Sequence, residues 1–222
     1  MDLKSSQLKT APIRPTLQRR SLKTQQKILK VVKNLLQEGK FEQATVHDIV
    51  RQSRCSIGAF YGRFSDKNAA LFSFYDAHCA QLESSALAIL DKTRPKKDSL
   101  AQILSEFVNA TVNHTLAHAA ILKSGIIKFS AEENDPFLNR ARKMNRRLYQ
   151  ALAAVLQARR DEYEHPNDRL GAMWVLGIVG GLTRETVTTG QKLMETTAST
   201  QVLQRELTRT VLGYLGVTVK QN

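Results

Sequence analysis

The stretch Cys55-Ser-Ile-Gly-Ala-Phe-Tyr-Gly-Arg-Phe64 lies between two apolar, helix-like segments. It contains two glycines, an alanine and a serine, yet also three aromatic residues within five positions. Glycine weakens a helix interior by about 1 kcal/mol relative to alanine. A short helix that uses it here needs close backbone approach more than it needs intrinsic stability. Ile57 and Phe60, three apart, are expected to face a helical core, and Phe64 to close the same core after a turn. Ser56, Gly58 and Ala59 then leave an outward surface of little bulk, with Tyr61 at its rim.

The segments around this stretch read as helices. Ile28, Val31, Val32, Leu35 and Leu36 fall at i, i+3, i+4, i+7 and i+8, and Gly39 follows as a stop. Thr45 and Asp48 match a capping box, so the threonine opens a short second helix whose apolar side is Val46, Ile49 and Val50. After a turn at Ser53–Cys55, Ser56 caps a third helix. Ser65 is expected to cap a fourth, with Asp66 in its first turn. That fourth helix carries Phe72, Tyr75, Cys79, Leu82, Ala86 and Ile89 at spacings of three and four.

The remainder follows the same period. Leu100, Ile103, Leu104, Phe107, Val108 and Thr111 form one face, and Phe137, Ala141, Met144, Leu148, Leu152 and Val155 another. A helix is expected from Pro166 to Thr188, and a last one on Leu203, Leu207, Val211 and Tyr214. No stretch alternates with period two over a useful length. The fold class is all-α. Residues 1–20 read as a flexible basic arm, 21–70 as a three-helix unit and 71–222 as a larger helical bundle.

Charge is distributed unevenly along the 222 residues, whose formal net charge is +13. Residues 1–67 hold fourteen Lys/Arg against five Asp/Glu, and nine basic residues but no acidic one lie between Leu3 and Gln37. Such an amino-terminal excess suits a polyanion, either nucleic acid or an acidic membrane surface. The two cysteines, Cys55 and Cys79, have no CxxC spacing and fit a reducing, cytoplasmic setting. The longest apolar run, Gly171–Leu182, is too short to span a bilayer. A soluble protein without membrane partners is expected.

Two short helices joined by a tight turn and preceded by a longer helix form a helix-turn-helix, whose second short helix enters the major groove. Tyr61 is placed for a phosphate, as is Thr45 at the cap of the second helix. Lys67 adds charge at a helix amino terminus, itself attractive to phosphate. The whole stretch Thr45–Leu71 resembles the DNA-binding motif of the TetR family of transcriptional regulators. Thr45, Ile49, Ser56, Gly58, Tyr61, Phe64, Lys67 and Leu71 match the family pattern. Val50 and Cys55 depart from it as core-type residues. Arg54 stands where the turn often has glycine, and Arg63 where histidine is common. Arg54 either strains a positive φ or adds a phosphate contact.

The resemblance implies a three-helix DNA-binding domain followed by a helical effector-binding and dimerisation domain. The implied function is a sequence-specific, ligand-responsive repressor, acting as a homodimer on a palindromic operator. A non-specific architectural DNA binder without an effector is the alternative, and an activator a further one. The DNA-contact set is Thr45, His47, Arg54, Ser56, Gly58, Ala59, Tyr61, Arg63 and Lys67, with Arg14, Arg19 and Arg20 from the arm. Candidates for an effector pocket are Phe107, His114, Met144 and Trp174, chosen as aromatic, polarisable or polar groups on apolar helices. Trp174, Gly177, Gly181, Leu203, Leu207 and Val211 are the expected dimer interface, since the Gly171–Leu182 run is apolar all round.

Duller roles compete for several residues. His114 and His118, four apart, share a helix face as metal ligands can, but the sequence brings no third ligand to them, so no metal or other cofactor is expected. Arg140, Arg142, Lys143, Arg146 and Arg147 read as a solvated face, with an anionic effector as the alternative. No ligand triad, phosphate loop or nucleophile motif points to an enzyme.

Overall fold

Capping chemistry and apolar period place the helices seen in the computed structural model. It describes residues 15–95, 97–127, 135–189, 192–193, 196–197 and 199–217. The chain divides between Ala70 and Leu71 into two compact units. In the first, α1 runs Pro15–Gln37, α2 Val46–Ser53 and α3 Ile57–Tyr61. Helix α4, Lys67–Ile89, begins there and continues into the second unit. Its first-turn N–H at Ala69 is taken by the Asp66 carboxylate at 2.8 Å, so Asp66 performs the capping expected of Ser65. Helix α1 starts at Pro15, so the last six positions of the expected arm are helical. Arg14 lies outside the described residues, as do the side chains of Arg19 and Arg20.

The core of the first unit follows the predicted stripe. Ile28, Val32, Leu35 and Leu36 of α1 are buried with Phe41, Ile49, Phe60 and Phe64. Burying one such large side chain contributes about 1.5–3 kcal/mol. Gly39 ends α1's last turn at φ +68, a conformation that glycine adopts without a Cβ penalty. One expectation fails. Ile57 is 39% exposed and belongs to the outward face of α3, while Phe60 alone anchors that helix. A helix of five residues has one inward position here, and Phe60 fills it.

The second unit contains α5 (Leu100–Ala117), α6 (Ala119–Ile127), α7 (Pro136–Ala158), α8 (Asp168–Thr189) and α9 (Thr200–Leu215). Ser99, Asp135 and Ser199 cap α5, α7 and α9 by accepting backbone N–H groups at 3.2, 2.7 and 3.2 Å. Their core joins Phe107 and Leu104 of α5, Leu152 and Leu156 of α7, Val175 and Val179 of α8, and Leu207 and Val211 of α9. A two-residue antiparallel ribbon, β1 (Lys192–Leu193) with β2 (Thr196–Thr197), lies between α8 and α9. It was not expected, and at this size it leaves the class all-α.

Two polar devices hold this bundle. Buried Arg159 donates to the Arg94 and Pro95 carbonyls, both at 2.9 Å, and pairs with Glu162 at 3.0 Å. Arg140, expected on a solvated face, is only 13% exposed at its side chain. It bridges Asp76 at 2.5 Å and Glu83 at 3.1 Å, joining α7 to α4. Arg147 reaches the same Glu83 at 2.7 Å.

Candidate functional site

The helix-turn-helix is built by its caps. Thr45 Oγ1 accepts the Asp48 N–H at 3.2 Å, and the Asp48 carboxylate accepts the Thr45 N–H at 3.0 Å and hydroxyl at 2.7 Å. The predicted box is therefore closed in both directions, and Thr45's hydroxyl hydrogen is already used within it. The Thr45 bonds, hydroxyl first, hold the Asp48 carboxyl below its ordinary value, with Arg51 and His47 charge adding to them. Helix α2 ends at Arg54 with φ 51 and ψ 45, the left-handed conformation, and its N–H returns to Arg51 and Val50. Among the described residues Arg54 is the one non-glycine with positive φ. The resembled motif's glycine position is thus a true left-handed cap, occupied here by an exposed arginine.

Ser56 caps α3 by accepting the Ala59 N–H at 3.1 Å. Phe60 is fully buried, with the Phe64 ring 5.6 Å away and the Tyr61 ring edge-on at 5.5 Å. Tyr61 itself is 55% exposed. An ideal Cβ at Gly58 would meet nothing within 4 Å, so no internal neighbour requires glycine there. The outward face is therefore Ser56, Ile57, Gly58 and Tyr61, with half-buried Ala59 beside it and exposed His47 and Arg54 on α2 and the turn.

Two expected DNA contacts are engaged inside the unit instead. Lys67 Nζ donates to the carbonyls of Phe41, Glu42 and Ala44 at 3.2, 2.7 and 3.0 Å, and sits 5.2 Å from the Phe41 ring centre. An ammonium has three hydrogens, and three acceptors surround it. The α4 amino terminus beside it already holds the Asp66 carboxylate. Arg63 donates to the Ala59 carbonyl at 2.5 Å and to the Ser21 carbonyl and hydroxyl at 3.2 and 3.0 Å. It clamps α3 to α1.

In the second unit a cavity of about 600 Å³ opens among α4, α5, α7 and α8. Phe107 and Met144 are among its lining residues, together with Tyr75, Cys79, Leu148 and Thr183. Burial pushes the Cys79 thiol up to about 11, so it stays protonated at neutral pH. Thr111 Oγ1 is buried in the wall without a hydrogen-bond partner among the described residues. His114 and Trp174 are not lining residues. Trp174 is 52% exposed on α8, and His114 Nε2 donates to the His78 carbonyl at 3.1 Å. Leu203, Leu207 and Val211 are also relocated. They are buried in the chain's own core, on the face of α9 turned inward, so they cannot meet a second subunit without unpacking it. Gly177 is exposed and Gly181 half-buried, beside exposed Leu170, Met173, Trp174 and Leu182.

With this geometry in hand, solved structures supply the comparison. A regulatory protein of the TetR family from Rhodococcus RHA1 superposes with a TM-score of 0.63 at 14% identity, over 88% of this chain and 98% of that one. The fatty acid degradation regulator FadR from Bacillus halodurans gives 0.64 at 15% identity, over 88% and 97%. SmeT in complex with triclosan gives 0.63 at 13%, over 89% and 93%. The chain has the fold of the TetR-type regulators. Neither a protein-family model nor a curated protein matches the sequence. No helix among the described residues is long and apolar enough to cross a membrane.

Sequence reasoning missed His78. Its signal was present, a histidine set between Tyr75 and Leu82 in the otherwise apolar stripe of α4, yet only the fold brings it to His114.

Proposed function

We propose that this TetR-type chain is a sequence-specific DNA-binding transcriptional regulator, working as a homodimer on a palindromic operator and released by a small molecule. The observation that carries the reading is α3. It is anchored by Phe60 and presents Ser56, Ile57, Gly58 and Tyr61 outward from a strongly basic unit. Gly58, beside exposed Ile57, leaves the backbone room to approach the groove floor, and the serine and tyrosine hydroxyls reach base edges or phosphate. His47, Arg54 and Ala59 extend this surface, while Arg63 and Lys67 brace it. Thr45 contributes through its capped helix terminus.

The exposed α8 face of Leu170, Met173, Trp174 and Leu182 is where a second copy would pack, with Gly177 and Gly181 permitting close approach. Two recognition helices would then read half-sites about 34–36 Å apart. The cavity would take an apolar effector, a reading supported by its apolar lining and by the fact that SmeT, of similar fold, is solved in complex with triclosan. An effector acts by binding better to the dimer geometry that does not fit adjacent grooves. Repression follows where the operator overlaps a promoter, and a reporter gene distinguishes it from activation.

Selection of bound DNA from a random pool with the purified protein tests the reading. A palindromic winner supports specific dimeric recognition. Equal affinity for random and selected DNA, with equal salt slopes, would make the protein an architectural binder instead.

A further inference from the structure

Three histidines converge in the second unit from separate parts of the chain. His78 lies on α4 and is 3% exposed. His114 is in the last turn of α5, and His118 occupies the break where α5 ends at Ala117 and α6 starts at Ala119. The ring centres are 4.6 Å apart for His78–His114, 5.1 Å for His78–His118 and 4.4 Å for His114–His118. One ring nitrogen from each lies within 4.8 Å of one from each of the others.

The hydrogen bonds around the cluster decide which nitrogens are free. His114 Nε2 faces the His78 carbonyl at 3.1 Å, and His118 Nδ1 faces the His114 carbonyl at 2.8 Å. A carbonyl only accepts, so these nitrogens carry the ring hydrogens. In the neutral rings the lone pairs then sit on Nδ1 of His114 and Nε2 of His118. Buried His78 Nδ1 has no hydrogen-bond partner among the described residues. A buried polar atom of this kind calls for a partner, because its desolvation is otherwise uncompensated.

We propose that His78, His114 and His118 form a binding site for a divalent first-row transition ion, with Zn²⁺ the leading candidate. The donor set selects the class. Three imidazole nitrogens without a carboxylate in the group are borderline ligands, suited to Zn²⁺, Cu²⁺ or Ni²⁺ rather than to Mg²⁺ or Ca²⁺. Two of the three rings already donate their other N–H to a backbone carbonyl, the support that orients metal-ligating histidines. Zn–N bonds of about 2.0–2.1 Å place tetrahedral ligand nitrogens about 3.4 Å apart. Binding therefore draws the rings inward, and half-exposed His118 at the helix break is the one freest to swing. The ion would tie α4 to the α5–α6 junction. This site requires nothing of the DNA reading.

The full chain, stripped with chelator and dialysed against Zn²⁺ alone near neutral pH, provides the test. One Zn²⁺ per chain is expected by elemental analysis, with affinity at least about tenfold weaker in His118→Gln and His114→Gln. Binding in a His165→Gln control stays unchanged. Substituted Co²⁺ should show the intense visible bands of a low-coordinate nitrogen site and no thiolate charge-transfer band. Circular dichroism and melting establish that each variant is folded, and the half-exposed His118→Gln carries the result if His78→Gln does not fold. Absence of uptake by the wild-type chain overturns the proposal. So does uptake that His118→Gln and His114→Gln leave unchanged, or a thiolate band that puts a cysteine in the ligand set.

Discussion

The ammonium of Lys67 donates to the carbonyl oxygen of Ala44 at 3.0 Å, one residue before the cap of α2. With the Phe41 and Glu42 carbonyls it forms a three-way clamp that sets where the helix-turn-helix begins. Lys67→Met should cost about 1.5–3 kcal/mol, the range for hydrogen bonds to a charged group, read as a lower melting temperature. The salt slope of DNA binding should stay unchanged. A slope smaller by about one would place the lysine on phosphate instead.

Gly58 meets no neighbour that would exclude a Cβ, so its role should separate stability from binding. Gly58→Ala is expected to leave the melting temperature unchanged or raised, by up to about 1 kcal/mol of helix propensity. Gly58→Leu should keep the fold yet weaken operator binding by tenfold or more, on the order of 1.4 kcal/mol. Normal DNA binding by the leucine variant would remove the clearance role from this face.

Arg54 occupies a left-handed cap at φ 51, where glycine carries no Cβ penalty. Arg54→Gly should raise stability by about 0.5–1 kcal/mol, the strain relieved less the entropy that glycine adds. The same variant should bind DNA more weakly, with a salt slope reduced by about one. Gain of stability with undiminished binding would show the arginine to be a strained cap and nothing more.

Asp48 links pH to the same motif. Its carboxyl is held below the ordinary 3.8 by Thr45, so as pH falls the unfolded chain takes up the proton first. The stabilisation is fully present above the unfolded value and is lost as pH falls through the lower folded one. The stability difference between wild type and Asp48→Asn should therefore be constant from neutral pH to about pH 5 and shrink below about pH 4. A difference that persists unchanged into strong acid would separate the box from that carboxylate.

Much of this protein was legible one residue at a time. The 3.6-residue period placed the helices because an apolar stripe must face a core whatever that core contains, and the buried faces of α1 and α5 follow it closely. Thr45 and Ser56 announced helix starts because a cap is a bond to a residue three positions on. The composition of residues 55–64 carried Ser56 and Gly58 to the outward face, though it misplaced Ile57. These are local statements, and the amino-acid order contains them.

What the order could not contain was which distant groups would claim a side chain. Arg63 and Lys67 look like free cations in sequence, but carbonyls brought up by Ser21, Phe41 and Ala44 take their hydrogens. Leu203 and Val211 could as well have faced a partner, until α5 and α8 covered them. His114 and His118 were a pair by spacing and became a trio only when α4 laid His78 against them, 36 residues away. Helix period and caps depend on neighbours within four residues. Hydrogen-bond ownership, the orientation of a face and the assembly of a ligand set depend on packing between helices, and only the tertiary structure decides them.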